Sequence, residues 1–147
     1  MNRIALWMLC LVGAVVFSGC GRNLPKNAAE ASPPAGKEIR VYYFHRTARC
    51  PGCLKIESVS RETVQTYFPV ELENGTVTWH SVNVDNDGDA HFADDYDLST
   101  QSVIVAEFSD GKQVRWKNLE KVWELVDADT EFSQYVESEI RAWTAGS

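Results

Sequence analysis

A cysteine pair spaced Cys50-Pro51-Gly52-Cys53 stands at the junction of two runs with different periodicities, and few folds accommodate such a junction. Ahead of it lies Ile39-Arg40-Val41-Tyr42-Tyr43-Phe44-His45, rich in branched and aromatic residues. Four consecutive apolar positions, Val41 to Phe44, are what a strand buried on both faces shows. Arg46 to Arg49 form a polar loop. Behind the pair, Pro51 to Phe68 read as a helix. Proline suits the first helical position, where its missing N–H would have no partner anyway, and Cys50 then becomes the N-cap. Cys53, Ile56, Val59 or Ser60, Thr63 or Val64, and Tyr67 fall on one face at helical spacing. Lys55, Glu57, Arg61 and Glu62 lie largely off it, and Pro69 is expected to end the helix. Two thiols so placed can close a disulfide, and the outer one is a candidate nucleophile.

Further along, Glu73-Asn74-Gly75 signals a turn, and Thr76 to Val84 are again strand-like. Strand, helix and strand make a βαβ unit with the two strands parallel. Asp85 to Asp89 form a polar loop, followed by a short helix over Ala90 to Tyr96. Val103 to Phe108 read as a strand, Ser109-Asp110-Gly111-Lys112 as a hairpin turn, and Gln113 to Trp116 as the antiparallel return. Leu119, Val122, Trp123 and Val126 recur at helical spacing, as do Phe132, Tyr135, Val136, Ile140 and Trp143. Two closing helical segments, broken near Asp127 to Thr130, are expected. The whole order is β-α-β-α-β-β-α.

The N-terminus has another character. Met1 to Arg3 give a positive start, Ile4 to Phe17 are almost wholly apolar, and Ser18-Gly19-Cys20 follow. The apolar run is short for a membrane span and has the arrangement of an export signal. Phe17-Ser18-Gly19-Cys20 resembles the lipobox of bacterial lipoproteins, which implies removal of residues 1–19 and lipidation of Cys20. Residues 20–37 are small, polar and proline-bearing, as in a tether. Residues 38–147 form the remaining domain. The expected location is therefore extracytoplasmic and membrane-anchored through a lipid, on the periplasmic side or at the cell surface. Of four cysteines, only Cys50 and Cys53 belong to the folded part, so a disulfide-stapled mini-protein is the wrong class. A formal net charge of −7 without a basic stripe argues against nucleic acid as a partner.

The element order, with the cysteine pair after the first strand and at the start of the next helix, resembles the thioredoxin superfamily. Tyr96-Asp97-Leu98, Val103-Ile104-Val105 and Asp110-Gly111-Lys112 resemble its second half. The implied fold class is α/β, thioredoxin-like, with a central mixed four-stranded sheet flanked by helices. More narrowly, Tyr43-Phe44-His45, Arg49 to Glu57, Asn83-Val84-Asp85 and Trp116 to Leu119 look like a family labelled nitrophenyl-compound nitroreductase subunit, ArsF type, associated by name with arsenic resistance. Two departures stand out against thioredoxins. Arg49 replaces the usual tryptophan before the first cysteine. No proline occupies Leu98 to Val105, where thioredoxins carry a cis-proline that helps hold a substrate strand. Ser102 takes its place in the substrate-facing loop, and the missing proline is expected to leave the thiol face more open.

Helix N-termini and nearby cations lower a thiol's pKa from about 8.5. Cys50 is expected to attack and Cys53 to resolve, with Arg49 and His45 as electrostatic support. The only redox group needed is the Cys50–Cys53 disulfide, with no further cofactor and no metal. Partners would be protein thiols or disulfides, or an electron-donating redox protein. The alternatives are binding or delivery of a soft ion such as Cu(I) or arsenite by the same thiols, with His45 as a third ligand, and a non-catalytic thioredoxin-like interaction module. Asn83, Asp85, Asp87, Gly88 and Asp94 mimic the spacing of a calcium loop, but a strand precedes them, which favours a solvated loop. Trp79, Trp116, Trp123 and Trp143 read as packing residues.

Overall fold

A computed structural model describes residues 36–145 of the chain. The expected signal over 1–19, the lipidation at Cys20 and nearly all of the tether lie outside the described residues.

Strand β1 spans Lys37–His45, α1 Pro51–Tyr67, α2 Pro69–Glu73, β2 Val77–Asn83, α3 Phe92–Asp95, β3 Ser102–Ser109, β4 Lys112–Asn118 and α4 Asp129–Thr144, with a 3-10 turn at Glu120–Val122. The four strands form one sheet in the order β2-β1-β3-β4. β1 runs parallel to β2 and antiparallel to β3, and β3 runs antiparallel to β4. This strand order, these directions and the helix after β1 make the domain an α/β thioredoxin-like fold, as expected.

Alternation along β1 divides the core. Ile39, Val41 and Tyr43 face α1 and α4, where Ile56, Val64, Phe68, Phe132, Val136 and Ile140 close over them. Tyr42 and Phe44 point to the opposite face and pack with Ile104, Phe108 and Tyr96, under partly buried Phe92 and Trp116. Both faces of β1 are thus covered, which explains its unbroken apolar run. On α1 the buried residues are Cys53, Ile56, Ser60, Thr63 and Val64. Tyr67, expected on that face, is exposed.

Several boundaries differ from expectation. β1 starts at Lys37, inside the expected tether, because its first residues pair with the far end of β3. Pro69 opens a second helix instead of only stopping the first. Phe68 breaks between them at φ −129°, because a residue before proline is pushed out of the helical region and its ring is fully buried. The helix expected over Ala90 to Tyr96 shrinks to α3. The helical spacing of Leu119 to Val126 produces the 3-10 turn and further turns, with Leu119 and Val122 buried. β4 runs further than expected, to Asn118. The β3–β4 turn takes the expected two-residue form, with Asp110 and Gly111 both at positive φ.

Candidate active site

β1 ends at His45 and α1 begins at Pro51, so the connecting loop delivers Cys50 to the tip of a 17-residue helix. Cys50 is the N-cap residue, in extended backbone conformation, and its Sγ accepts a hydrogen bond from the Cys53 backbone N–H at 3.1 Å. A sulfur thus occupies the position where serine or aspartate oxygens usually satisfy a free helical N–H. No acidic side chain lies in the first turn of α1 to offset the positive helix end. Cys50 and Cys53 are joined in a disulfide with their Cα atoms 5.0 Å apart. Cys50 is exposed, whereas Cys53 is 2% exposed. An outer sulfur that a partner can reach is therefore linked to an inner one that it cannot.

Beneath the pair, the Tyr43 hydroxyl donates to the Cys53 carbonyl at 2.7 Å. Burial pushes the Tyr43 phenol up and the Arg49 guanidinium draws it back only in part, so it stays a donor. The Arg49 guanidinium lies 5.5 Å from the centroid of the Tyr43 ring and is paired with the Glu57 carboxylate. Glu57 also accepts from the Ser81 hydroxyl of β2 at 2.7 Å. Burial alone would raise the Glu57 carboxyl. Ser81, Arg49 and the field of His45 outweigh it and hold the group below its ordinary value. Arg49 is therefore not a free cation beside Cys50, because much of its charge is met by Glu57. Its Nε is buried without a hydrogen-bond partner.

His45 is the last residue of β1. Its ring stacks on Tyr43 at 5.8 Å, and its Nδ1 donates to the Arg46 carbonyl at 3.0 Å. Among the described residues no group of three or more His, Cys, Asp and Glu side chains is placed to hold a metal ion. Ser102 opens β3 opposite Phe44. It is buried, and its hydroxyl donates to the Thr100 carbonyl at 3.0 Å. Asp85, in the loop with calcium-like spacing, instead accepts from the Thr47 backbone N–H at 2.8 Å and pairs with Arg46.

One flank of the site is lined by the segment after β4, while Cys50 itself stays exposed. A Cβ placed on Gly52 would lie 3.8 Å from Val126 and 4.0 Å from both Cys50 Sγ and the Trp123 ring. The Trp123 indole N–H donates to the Gln101 carbonyl at 3.0 Å. The segment after β4 thus lies against Gly52, beside the exposed Cys50. Sequence reasoning singled out neither Glu57 nor Tyr43, Ser81, Gln101 and Val126 for the site, and it assigned Trp123 to packing. Only Glu57 had a local signal, one helical turn beyond Cys53.

No family model matches the chain, and no curated protein matches it. Among solved structures, oxidized thioredoxin O2 from Arabidopsis thaliana is 21% identical over 65% of this chain and 76% of its own, with a TM-score of 0.40. Thioredoxin from Trypanosoma brucei brucei is 19% identical over 73% and 79%, with a TM-score of 0.43. The Malassezia sympodialis thioredoxin is 20% identical over 67% and 80%, with a TM-score of 0.41. Likeness at this level carries no statement about activity.

Proposed function

We propose that this domain is a thiol-disulfide oxidoreductase whose only redox group is the Cys50–Cys53 pair. One observation carries the reading: an exposed sulfur at a helix N-cap, bonded to a buried sulfur one turn in and receiving its backbone N–H. In the reduced protein the same N–H and the helix end stabilise a Cys50 thiolate. That thiolate attacks a partner disulfide, forming a mixed disulfide and releasing one partner thiolate. Cys53 gives up its proton and attacks the Cys50 sulfur, closing the internal disulfide and releasing the second partner thiolate. Two electrons pass to the partner. A second protein dithiol restores the pair by the reverse sequence, and net flow follows the relative potentials of the three pairs. Arg49 acts through its charge, as does His45 when protonated.

The test is catalysis of insulin disulfide reduction by dithiothreitol. Wild type should accelerate it, Cys50→Ser should fall to the uncatalysed rate, and Cys53→Ser should accumulate the mixed disulfide. Catalysis that survives loss of Cys50 would refute the mechanism.

We further place the domain outside the cytoplasm, tethered through lipidated Cys20, on the strength of the lipobox-like Phe17-Ser18-Gly19-Cys20. Fatty-acid labelling of the full chain in bacteria should mark wild type and not Cys20→Ser. Label retained by the variant would remove the anchor. The resemblance to the ArsF-type family points the search for the partner towards proteins of arsenic handling.

A further inference from the structure

We infer that Glu57 is a positioning residue that sets how much of the Arg49 charge reaches the Cys50 sulfur, by holding the guanidinium against the side of α1. This rests on the exchange reading above and adds a residue to it.

The arrangement has three parts. Arg49 is covalently next to Cys50, and its guanidinium lies 5.5 Å from the centroid of the Tyr43 ring, whose hydroxyl bonds the Cys53 carbonyl beneath the pair. Its guanidinium is drawn onto Glu57, with only 21% of the Arg49 side chain and 15% of the Glu57 side chain exposed. Ion pairs shielded in this way keep their coupling better than surface pairs. Glu57 in turn is fixed from the far side by Ser81, so the carboxylate is anchored to β2 and cannot follow a moving arginine.

Arg49 is also incompletely satisfied where it is. Its Nε is buried and lacks an acceptor, a state that costs free energy in a folded protein. A new anion nearby would compete for the guanidinium, and reduction creates one at Cys50. Glu57 and the Cys50 thiolate are then rival anions for one cation. With Glu57 charged, the thiolate receives the field of a nearly neutral pair. With Glu57 neutralised, it receives that of a full cation.

The two charges should therefore act on Cys50 in opposite directions. Glu57→Gln keeps the side-chain shape and should lower the Cys50 pKa by about one unit, roughly a tenfold gain in thiolate below that pKa. Arg49→Gln should raise it. The double variant should return close to wild type, because both charges leave together. A purely structural role for the pair would move both single variants the same way.

The experiment is peptide-resolved iodoacetamide alkylation of Cys50 in the reduced full chain across a pH series. Peptide resolution separates Cys50 from Cys10, Cys20 and Cys53. Opposite displacements with cancellation in the double variant support the inference. Equal displacements, or none in variants that retain the wild-type circular dichroism, overturn it. Should Glu57→Gln fail to fold, Ser81→Ala releases the same carboxylate without removing its charge. The freed carboxylate can follow the guanidinium, so the thiolate keeps the field of a nearly neutral pair and the Cys50 pKa should stay at or above the wild-type value; a fall there overturns the inference. The readout is independent of turnover. A protein that shows the opposite displacements yet leaves insulin intact keeps the electrostatic device and loses the exchange reading.

Discussion

At the scale of single residues, the asymmetry between Cys50 and Cys53 comes from which side of one helical turn each occupies. Position one of the turn lies at the tip, in solvent, whereas position four lies over Tyr43 and the β1 core. Trp123 is the residue whose role most exceeds its sequence reading. Its indole N–H satisfies the Gln101 carbonyl, and its ring flanks Gly52. Trp123→Phe keeps the aromatic volume but leaves that carbonyl without this donor. The expected cost is about 1 kcal/mol, in line with one lost hydrogen bond, read as a lowered urea midpoint with an unchanged slope. A variant as stable as wild type would show that water or another donor replaces the indole without loss.

At the scale of elements, α1 connects everything that matters. Its N-terminus carries the disulfide, its buried stripe seals one face of the sheet, and its polar flank reaches β2 through Glu57 and Ser81. That last link gives the fold a pH signature. The Glu57 carboxyl titrates below its ordinary value of 4.5 in the folded protein. A depressed carboxyl contributes stability that is complete above its unfolded pKa and is lost as pH falls through the folded one. The contribution should therefore be present at neutral pH and disappear below about 4.5. Urea titrations at neutral and strongly acidic pH should show wild type losing on the order of 1 kcal/mol more than Glu57→Gln. Equal losses would mean that the pair does not hold α1 to the sheet. The break after α1 has a similarly local cause: Pro69 excludes Phe68 from the helical region, and burial of the Phe68 ring holds the kink in place.

At the scale of the whole molecule, stability rests on two apolar layers and not on the disulfide. The Cys50–Cys53 loop is so short that closing it removes little entropy from the unfolded chain, about 2 kcal/mol at most. Reduction should therefore leave the far-ultraviolet circular dichroism unchanged, and the reduced protein should still unfold cooperatively in urea with a midpoint somewhat below the oxidised one. Loss of cooperativity on reduction would make the pair a structural brace and weigh against a redox role. The order of elements along the chain, the parallel β1–β2 pair, the tight β3–β4 turn and the placement of the cysteines were all legible in the sequence. Each arises from groups close along the chain: apolar periodicity, proline at a helix start, Asp-Gly at a hairpin. The helical spacing of Leu119 to Val126 misled because the same spacing also serves a string of turns whose apolar side chains are buried by neighbouring elements. The surroundings of the sulfurs were settled only by tertiary structure. Ser81 reaches Glu57 through the parallel crossover, Gln101 stands just before β3, and Trp123 and Val126 arrive after the β3–β4 hairpin, all from positions tens of residues away. Local pattern encodes which face of an element is apolar. It carries no record of what that face will meet across a sheet, so the thiol pair could be read from the chain, whereas the groups that flank it required the fold.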